Sequence, residues 1–221
     1  MWNKPVVEIR VEEHDRGALP RLLDIYKRLA LPVLVRHVGP PLAFYVPSVG
    51  RINCLTQLWA YDSLAEYELA QAAVQADPSW QDYLQAAQGL IRHRESRLTR
   101  RIAFGIVDEK AHDSHKKPFV DFRTYLIHFN QMQTFLDTTR KHAMQVMLRH
   151  VGPPVGYYLT TVGNLQQITL IWGYDSMADM EARRAARNAD PEWKIYLDAS
   201  QGIYERQETQ VLHRVTLLDD R

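Results

Sequence analysis

Arg36-His37-Val38-Gly39-Pro40-Pro41 is spelled a second time, unchanged, as Arg149-His150-Val151-Gly152-Pro153-Pro154. The offset of 113 residues then holds without a gap: Trp59, Tyr61, Asp62 and Ser63 return as Trp172, Tyr174, Asp175 and Ser176. Asp77-Pro78, Trp80 and Tyr83-Leu84 return as Asp190-Pro191, Trp193 and Tyr196-Leu197. Between 36–97 and 149–210, 28 of 62 positions are identical, which chance does not supply in one register. The chain is a tandem duplication. A period this long is too long for a solenoid repeat and suits a whole small domain. The polar, unpatterned stretch from Gly105 to Lys117 separates the copies. The expected organisation is a first domain at 1–105, a linker at 106–117 and a second domain at 118–221.

Each copy shows the same order of elements. Val6–Val11 alternates like a strand, and Phe119–Ile127 is its counterpart. Ala18–Leu29 has helical spacing of Leu19, Leu22, Leu23, Tyr26 and Leu29, and the matching helix runs from about 131 to 148. Leu42–Val46 and Val155–Thr160 are short strands, turned by Gly50 and Gly163 into Ile52–Tyr61 and Leu165–Tyr174, which are rich in β-branched and aromatic residues. Ser63 and Ser176 stand where a helix N-cap belongs, each behind an aspartate that suits the positive helix end. Asp77-Pro78 and Asp190-Pro191 break that helix and start another, expected to reach about Arg94 and Tyr204. A last strand follows, Glu95–Phe104 and Gln207–Leu217. The order β-α-β-β-α-β, twice, is the ferredoxin-like pattern. Four antiparallel strands covered by helices on one face leave the other face needing a partner, and a second copy in the same chain can supply it. The fold class expected is therefore α+β, two ferredoxin-like repeats forming an intramolecular barrel-like pair, with any homodimer made through outer surfaces.

Composition excludes several functions. With 27 Lys+Arg against 26 Asp+Glu the net charge is +1, so no bulk field recruits nucleic acid or anionic membrane. The single cysteine, Cys54, allows neither an intrachain disulfide nor a cysteine zinc site. No apolar run has the roughly 20 residues of a membrane span. The first residues carry strand patterning in place of a signal-peptide core, so a cytoplasmic protein is expected. His112 and His115 lie close together in the linker without an acidic partner, and no metal or cofactor is expected.

The words Arg-His-Val-Gly, Leu58-Trp59-Ala60-Tyr61-Asp62-Ser63-Leu64 and Ala76-Asp77-Pro78-Ser79-Trp80, each matched in copy 2, resemble the NIPSNAP family. The resemblance covers nearly the whole chain, once per copy. It implies the dimeric α+β barrel superfamily, whose members include cofactor-free monooxygenases, isomerases, dehydratases and haem enzymes, while most NIPSNAP proteins lack an assigned reaction. Eukaryotic members are mitochondrial; without their presequence this chain looks more like a bacterial cytoplasmic one. It departs from the family at two places. A Glu common before the turn glycine is absent from Ser48-Val49-Gly50 and Thr161-Val162-Gly163, and a His common before the Leu-Trp pair is replaced by Gln57 and Leu170.

Arg36 and His37 are the candidate catalytic pair. Arginine can hold a carboxylate by two bonds, and histidine can move a proton near neutrality. On a strand only one of each pair could face a given cavity; at a helix C-terminus both would instead meet the dipole and the last carbonyls. Their counterparts Arg149 and His150 are candidate substrate-binding residues. So are Tyr45, Gln57, Trp59 and Tyr61, with Tyr158, Trp172 and Tyr174. By period two, Gln57, Trp59 and Tyr61 share a face suited to a flat organic ligand, and equally to a core. Because Leu170 replaces Gln57, copy 1 is the better candidate. Two functions follow: a cofactor-independent enzyme on a small aromatic or carbonyl-bearing metabolite, or a non-catalytic module for a small ligand or protein partner.

Overall fold

Val-Val-Glu-Ile-Arg-Val-Glu-Glu-His, residues 6–14, alternates apolar and charged side chains and would ordinarily lie at a surface. In the computed structural model, which describes residues 3–105 and 113–218, that strand (β1, Val6–His14) is central in a four-stranded sheet. It pairs antiparallel with β3 (Cys54–Tyr61) and with β4 (Ile91–Arg101), and β3 pairs with β2 (Ala43–Val49). The order is β4-β1-β3-β2. The register sets Glu8 opposite Trp59, Arg10 opposite Gln57 and Glu12 opposite Leu55. These six side chains therefore share one face. That face is covered by helices, so Glu8, Arg10, Glu12 and Gln57 are all buried.

The cover is built from two segments. The first runs from Leu19 to His37 as α1 (Leu19–Ile25), a π turn (Tyr26–Ala30) and α2 (Leu31–His37). The extra residue of a π turn rotates the helix that follows it. Here it lets Leu22 and Tyr26 before it, and Leu31 and Leu34 after it, all join the core. Pro32, which lacks an N–H, does not cause the turn, because the same turn in copy 2 is followed by Gln145. The second segment is α3 (Leu64–Ala76) and α4 (Pro78–Ala87). Ser63 caps α3 by accepting from Glu66 N, and the Glu66 carboxylate accepts from Asp62 N in return. Helix α4 ends at Ala87, earlier than its spacing suggests, because Gly89 takes a positive φ of 76° that stops the helix and frees the chain for β4. Tyr26, Phe44, Trp59 and Tyr83 interlock edge to face at 5.5–5.9 Å. Such pairs add about 0.5–1.5 kcal/mol beyond their buried area.

Copy 2 repeats this plan. Strands β5 (Phe119–Ile127), β6 (Pro154–Val162), β7 (Gln167–Tyr174) and β8 (Tyr204–Val215) form the order β8-β5-β7-β6. They are covered by α5 (Met132–Thr138), a π turn (Thr139–Ala143), α6 (Met144–His150), α7 (Met177–Ala189) and α8 (Pro191–Ala199). Gly202, φ 72°, stops the last helix as Gly89 does in copy 1. Two compact units result, one of residues up to Arg100 with those from Arg214 on, the other Arg101–His213. Leu217 is thus buried in the core of the first unit, and Ile102 and Phe104 pack on that of the second. The expected linker at 106–117 lies outside the described residues between 106 and 112. No helix among the described residues is long and apolar enough to cross a membrane.

Candidate functional site

The sheet face under the helices of copy 1 carries a continuous buried polar cluster. Glu12 is its centre, fully buried. Its Oε2 accepts from Gln57 Nε2 at 2.9 Å, and its Oε1 accepts from Arg94 Nε at 2.8 Å. Gln57 Oε1 accepts in turn from the Tyr26 hydroxyl at 2.8 Å and from Trp59 Nε1 at 3.0 Å. Two residues along β1, Glu8 is gripped by Arg10 through both oxygens (3.0 and 3.1 Å), by the Tyr61 hydroxyl (3.0 Å) and by Ser96 Oγ (2.6 Å). Every polar atom of Gln57, Glu8 and Glu12 thus has a partner, which is the condition for keeping such groups buried. Burial holds the Tyr26, Tyr61 and Tyr83 hydroxyls protonated well beyond neutrality.

Arg94 carries this cluster to the surface. Its side chain is 37% exposed, and Nη2 lies 3.5 Å from the Tyr83 hydroxyl. Both residues line a cleft of about 290 Å³ with Leu84, Ala87, Ile91, Arg92 and His93. A small ligand entering there meets the Arg94 guanidinium, with the buried Tyr83 phenol and Glu12 carboxylate directly behind it.

The Arg-His pairs lie elsewhere. Arg36 and His37 are the last two residues of α2, on a helix end and not on a strand. Arg36 Nη1 donates to Asp77 Oδ2 at 2.7 Å, and His37 Nε2 lies 2.8 Å from the same oxygen. Asp77 Oδ1 meanwhile accepts from Ser79 N, capping α4. Arg149, His150 and Asp190 repeat the joint at 2.6 and 2.8 Å, and Arg149 also reaches Glu192 at 2.9 Å. The hydrogen bond from the histidine, with the arginine and the capping amide, holds both aspartates below their usual range. In copy 2 this joint lines an open depression of about 490 Å³ with Ala186, Ala189 and Pro191. Gln57, Trp59 and Tyr61 do come together on one face, and so do Trp172 and Tyr174. Tyr45 and Tyr158 do not join them. Phe44 and Tyr157 are the residues in register with Gln57 and Leu170, so the adjacent tyrosines point to the opposite face.

Sequence reading missed Glu8, Arg10, Glu12, Tyr83 and Arg94. One signal was present: Glu8-Ile9-Arg10 recurs as Asp121-Phe122-Arg123 at the same offset of 113. An acid and a base kept two apart in both strands mark a paired face. In copy 2, however, Glu12, Tyr26, Gln57 and Arg94 become Tyr125, Thr139, Leu170 and Gln207, and the second carboxylate is gone. Among the described residues no three His, Cys, Asp or Glu side chains converge as a metal site would require.

Two ferredoxin-like repeats in one chain, each with its polar face under helices, define an α+β protein of the dimeric α+β barrel class. A provisionally named monooxygenase from Lactobacillus acidophilus shares this fold over 97% of the present chain and 95% of its own, with a TM-score of 0.64 and 11% identity. An anthrone oxidase-like protein does so over 97% and 92%, with a TM-score of 0.62 and 11% identity. The chain belongs to the NIPSNAP family, whose family model matches residues 7–105 and again 120–217. A NIPSNAP family protein of unknown function from Agrobacterium tumefaciens is 26% identical and covers 44% of this chain and 87% of its own, with a TM-score of 0.42. No curated protein matches the chain.

Proposed function

We propose that copy 1 is a cofactor-independent active site for a small aromatic, carbonyl-bearing metabolite, and that its chemistry is proton transfer at the carbon beside the carbonyl. The observation that carries this reading is that Arg94 and Tyr83 belong at once to the open cleft and to the buried Glu12 cluster. A ligand oxygen taken up by Arg94 and Tyr83 draws the guanidinium away from Glu12. The carboxylate then loses its counter-charge in a dry environment and becomes the stronger base. The C–H proton passes to Glu12, and the electron pair moves onto the carbonyl oxygen as an enolate. Arg94 and Tyr83 stabilise that developing charge. Return of the proton completes an exchange or an isomerisation. In this reading Arg36 and His37 serve the helix joint at Asp77.

A second reading, a ligand-binding module without turnover, is favoured by one observation: both Glu12 oxygens are engaged at rest. Proton NMR in D₂O distinguishes the two, using an aromatic 2-oxo acid as probe and following loss of its benzylic protons. The enzyme reading expects exchange by the wild-type chain. Glu12→Gln should slow exchange by about 10²–10⁴-fold while binding persists, the size of a general-base contribution. Arg94→Ala should weaken binding itself. Binding without exchange assigns the module instead, and neither binding nor exchange removes both readings.

A further inference from the structure

Copy 2 has lost the second carboxylate but gained cations. Where copy 1 has Gln71 and Val74 on α3, copy 2 has Arg184 and Arg187 on α7. Arg123 Nε and Nη2 and Arg184 Nη2 all donate to one oxygen, Asp121 Oδ2, at 2.5–2.8 Å. Arg187 is buried, lies with Cζ 4.4 Å from the Trp193 ring centroid and donates from Nε and Nη2 to the neutral Asn188 Oδ1 at 3.2 and 2.8 Å, but pairs with no carboxylate among the described residues. Two guanidiniums thus share a single buried carboxylate, and a third lies buried beside them with only neutral partners. Arg183, the next arginine of α7, is already paired with Asp179.

The cluster is also incomplete in hydrogen bonds. In copy 1 the Tyr61 hydroxyl reaches Glu8. Asp121 is one methylene shorter than Glu8, and the equivalent Tyr174 hydroxyl is left without a partner. Asp121 Oδ1 and Arg184 Nε are likewise buried and unpartnered. Each such orphan costs about 1–3 kcal/mol when nothing satisfies it, and three together with surplus positive charge suit an anion that also accepts hydrogen bonds. Burial, with repulsion from Arg123 and Arg184, holds the Arg187 pKa down.

We propose that the layer between sheet and α7 in copy 2 binds a small oxyanion that carries a hydroxyl, hydrogen phosphate being the simplest. Its anionic oxygens take Arg184, Arg187 and the Tyr174 hydroxyl, and its O–H donates to Asp121 Oδ1. This site is separate from the copy 1 cleft and stands without the reading proposed for it.

The test is thermal melting and titration calorimetry of the full chain with inorganic phosphate, against sulfate and against chloride at matched ionic strength. Phosphate should raise the melting temperature saturably, and sulfate, which has no proton to give, should bind more weakly. Arg187→Val, which writes in the copy 1 residue, should weaken phosphate at least about tenfold, the loss expected for one charged contact. Without phosphate the same variant should melt close to wild type, since the lost Asn188 bonds and Trp193 contact are offset by removal of a buried cation that pairs with no carboxylate among the described residues. Arg184→Gln provides a second variant with the same expected loss. Phosphate acting no differently from chloride, or as strongly on Arg187→Val and Arg184→Gln as on wild type, overturns the proposal. So does loss of the effect in Arg149→Ala alone, which places the anion at the α6 end. Sulfate binding as tightly as phosphate overturns the hydroxyl donor assigned to Asp121.

Discussion

Gln57 is the residue on which copy 1 turns. Both polar atoms of its amide are engaged: the oxygen takes Tyr26 and Trp59, and the nitrogen serves Glu12. Gln57→Leu, the change that copy 2 carries at Leu170, orphans those three groups in a dry layer. Urea unfolding should show a loss of about 2–5 kcal/mol, because an unsatisfied buried group costs about 1–3 kcal/mol and some relax onto one another. A loss under about 1 kcal/mol would mean that the cluster is not holding Gln57 as described. That Gln57, Trp59 and Tyr61 share a face was legible from period two in a single strand. Glu8, Arg10 and Glu12 were not, because the charged half of an alternating strand looks the same whether water or helices cover it.

At the scale of elements, the joint between α2 and α4 explains why Arg-His and Asp-Pro persist in both copies. Asp77 caps one helix with Oδ1 while Oδ2 gathers the basic end of another, and Asp190 does the same in copy 2. Asp77→Asn keeps a capping oxygen and loses the charge; Asp77→Ala loses both. Melting should therefore fall in the order wild type, Asn, Ala, with the same order at Asp190. Equal melting of the Asn and Ala variants would remove the cap from the account. The depressed aspartate pKa gives the pH sign. Its stability contribution is complete above the ordinary carboxylate value and fades as pH falls below it toward the folded value, so the Asn and wild-type curves converge in acid. The caps, the helix-breaking Asp-Pro pairs and the strand order were readable in the sequence. The ends of α4 and α8 were not, because the apolar spacing runs on past Gly89 and Gly202, where only the positive φ stops the helix. Neither were the π turns, which carry no mark in composition.

For the whole molecule, duplication was the decisive feature, because one repeated word fixed the order of both halves before any strand was placed. What repetition could not convey is divergence. Copy 1 keeps two carboxylates, an amide and a guanidinium that opens to a cleft; copy 2 keeps one carboxylate under three arginines. Two copies of one fold have been given different electrostatics on the same face. The central claim is that proton transfer belongs to copy 1 alone, and it is tested by writing copy 2 into copy 1. The variant Glu12→Tyr, Tyr26→Thr, Gln57→Leu and Arg94→Gln places in copy 1 the side chains that copy 2 carries at the equivalent positions. The measurement is the rate of benzylic proton exchange of the aromatic 2-oxo acid with this chain, folded by circular dichroism. The account predicts that exchange falls to the rate in buffer. Exchange at the wild-type rate would contradict it and move the chemistry out of the Glu12 cluster.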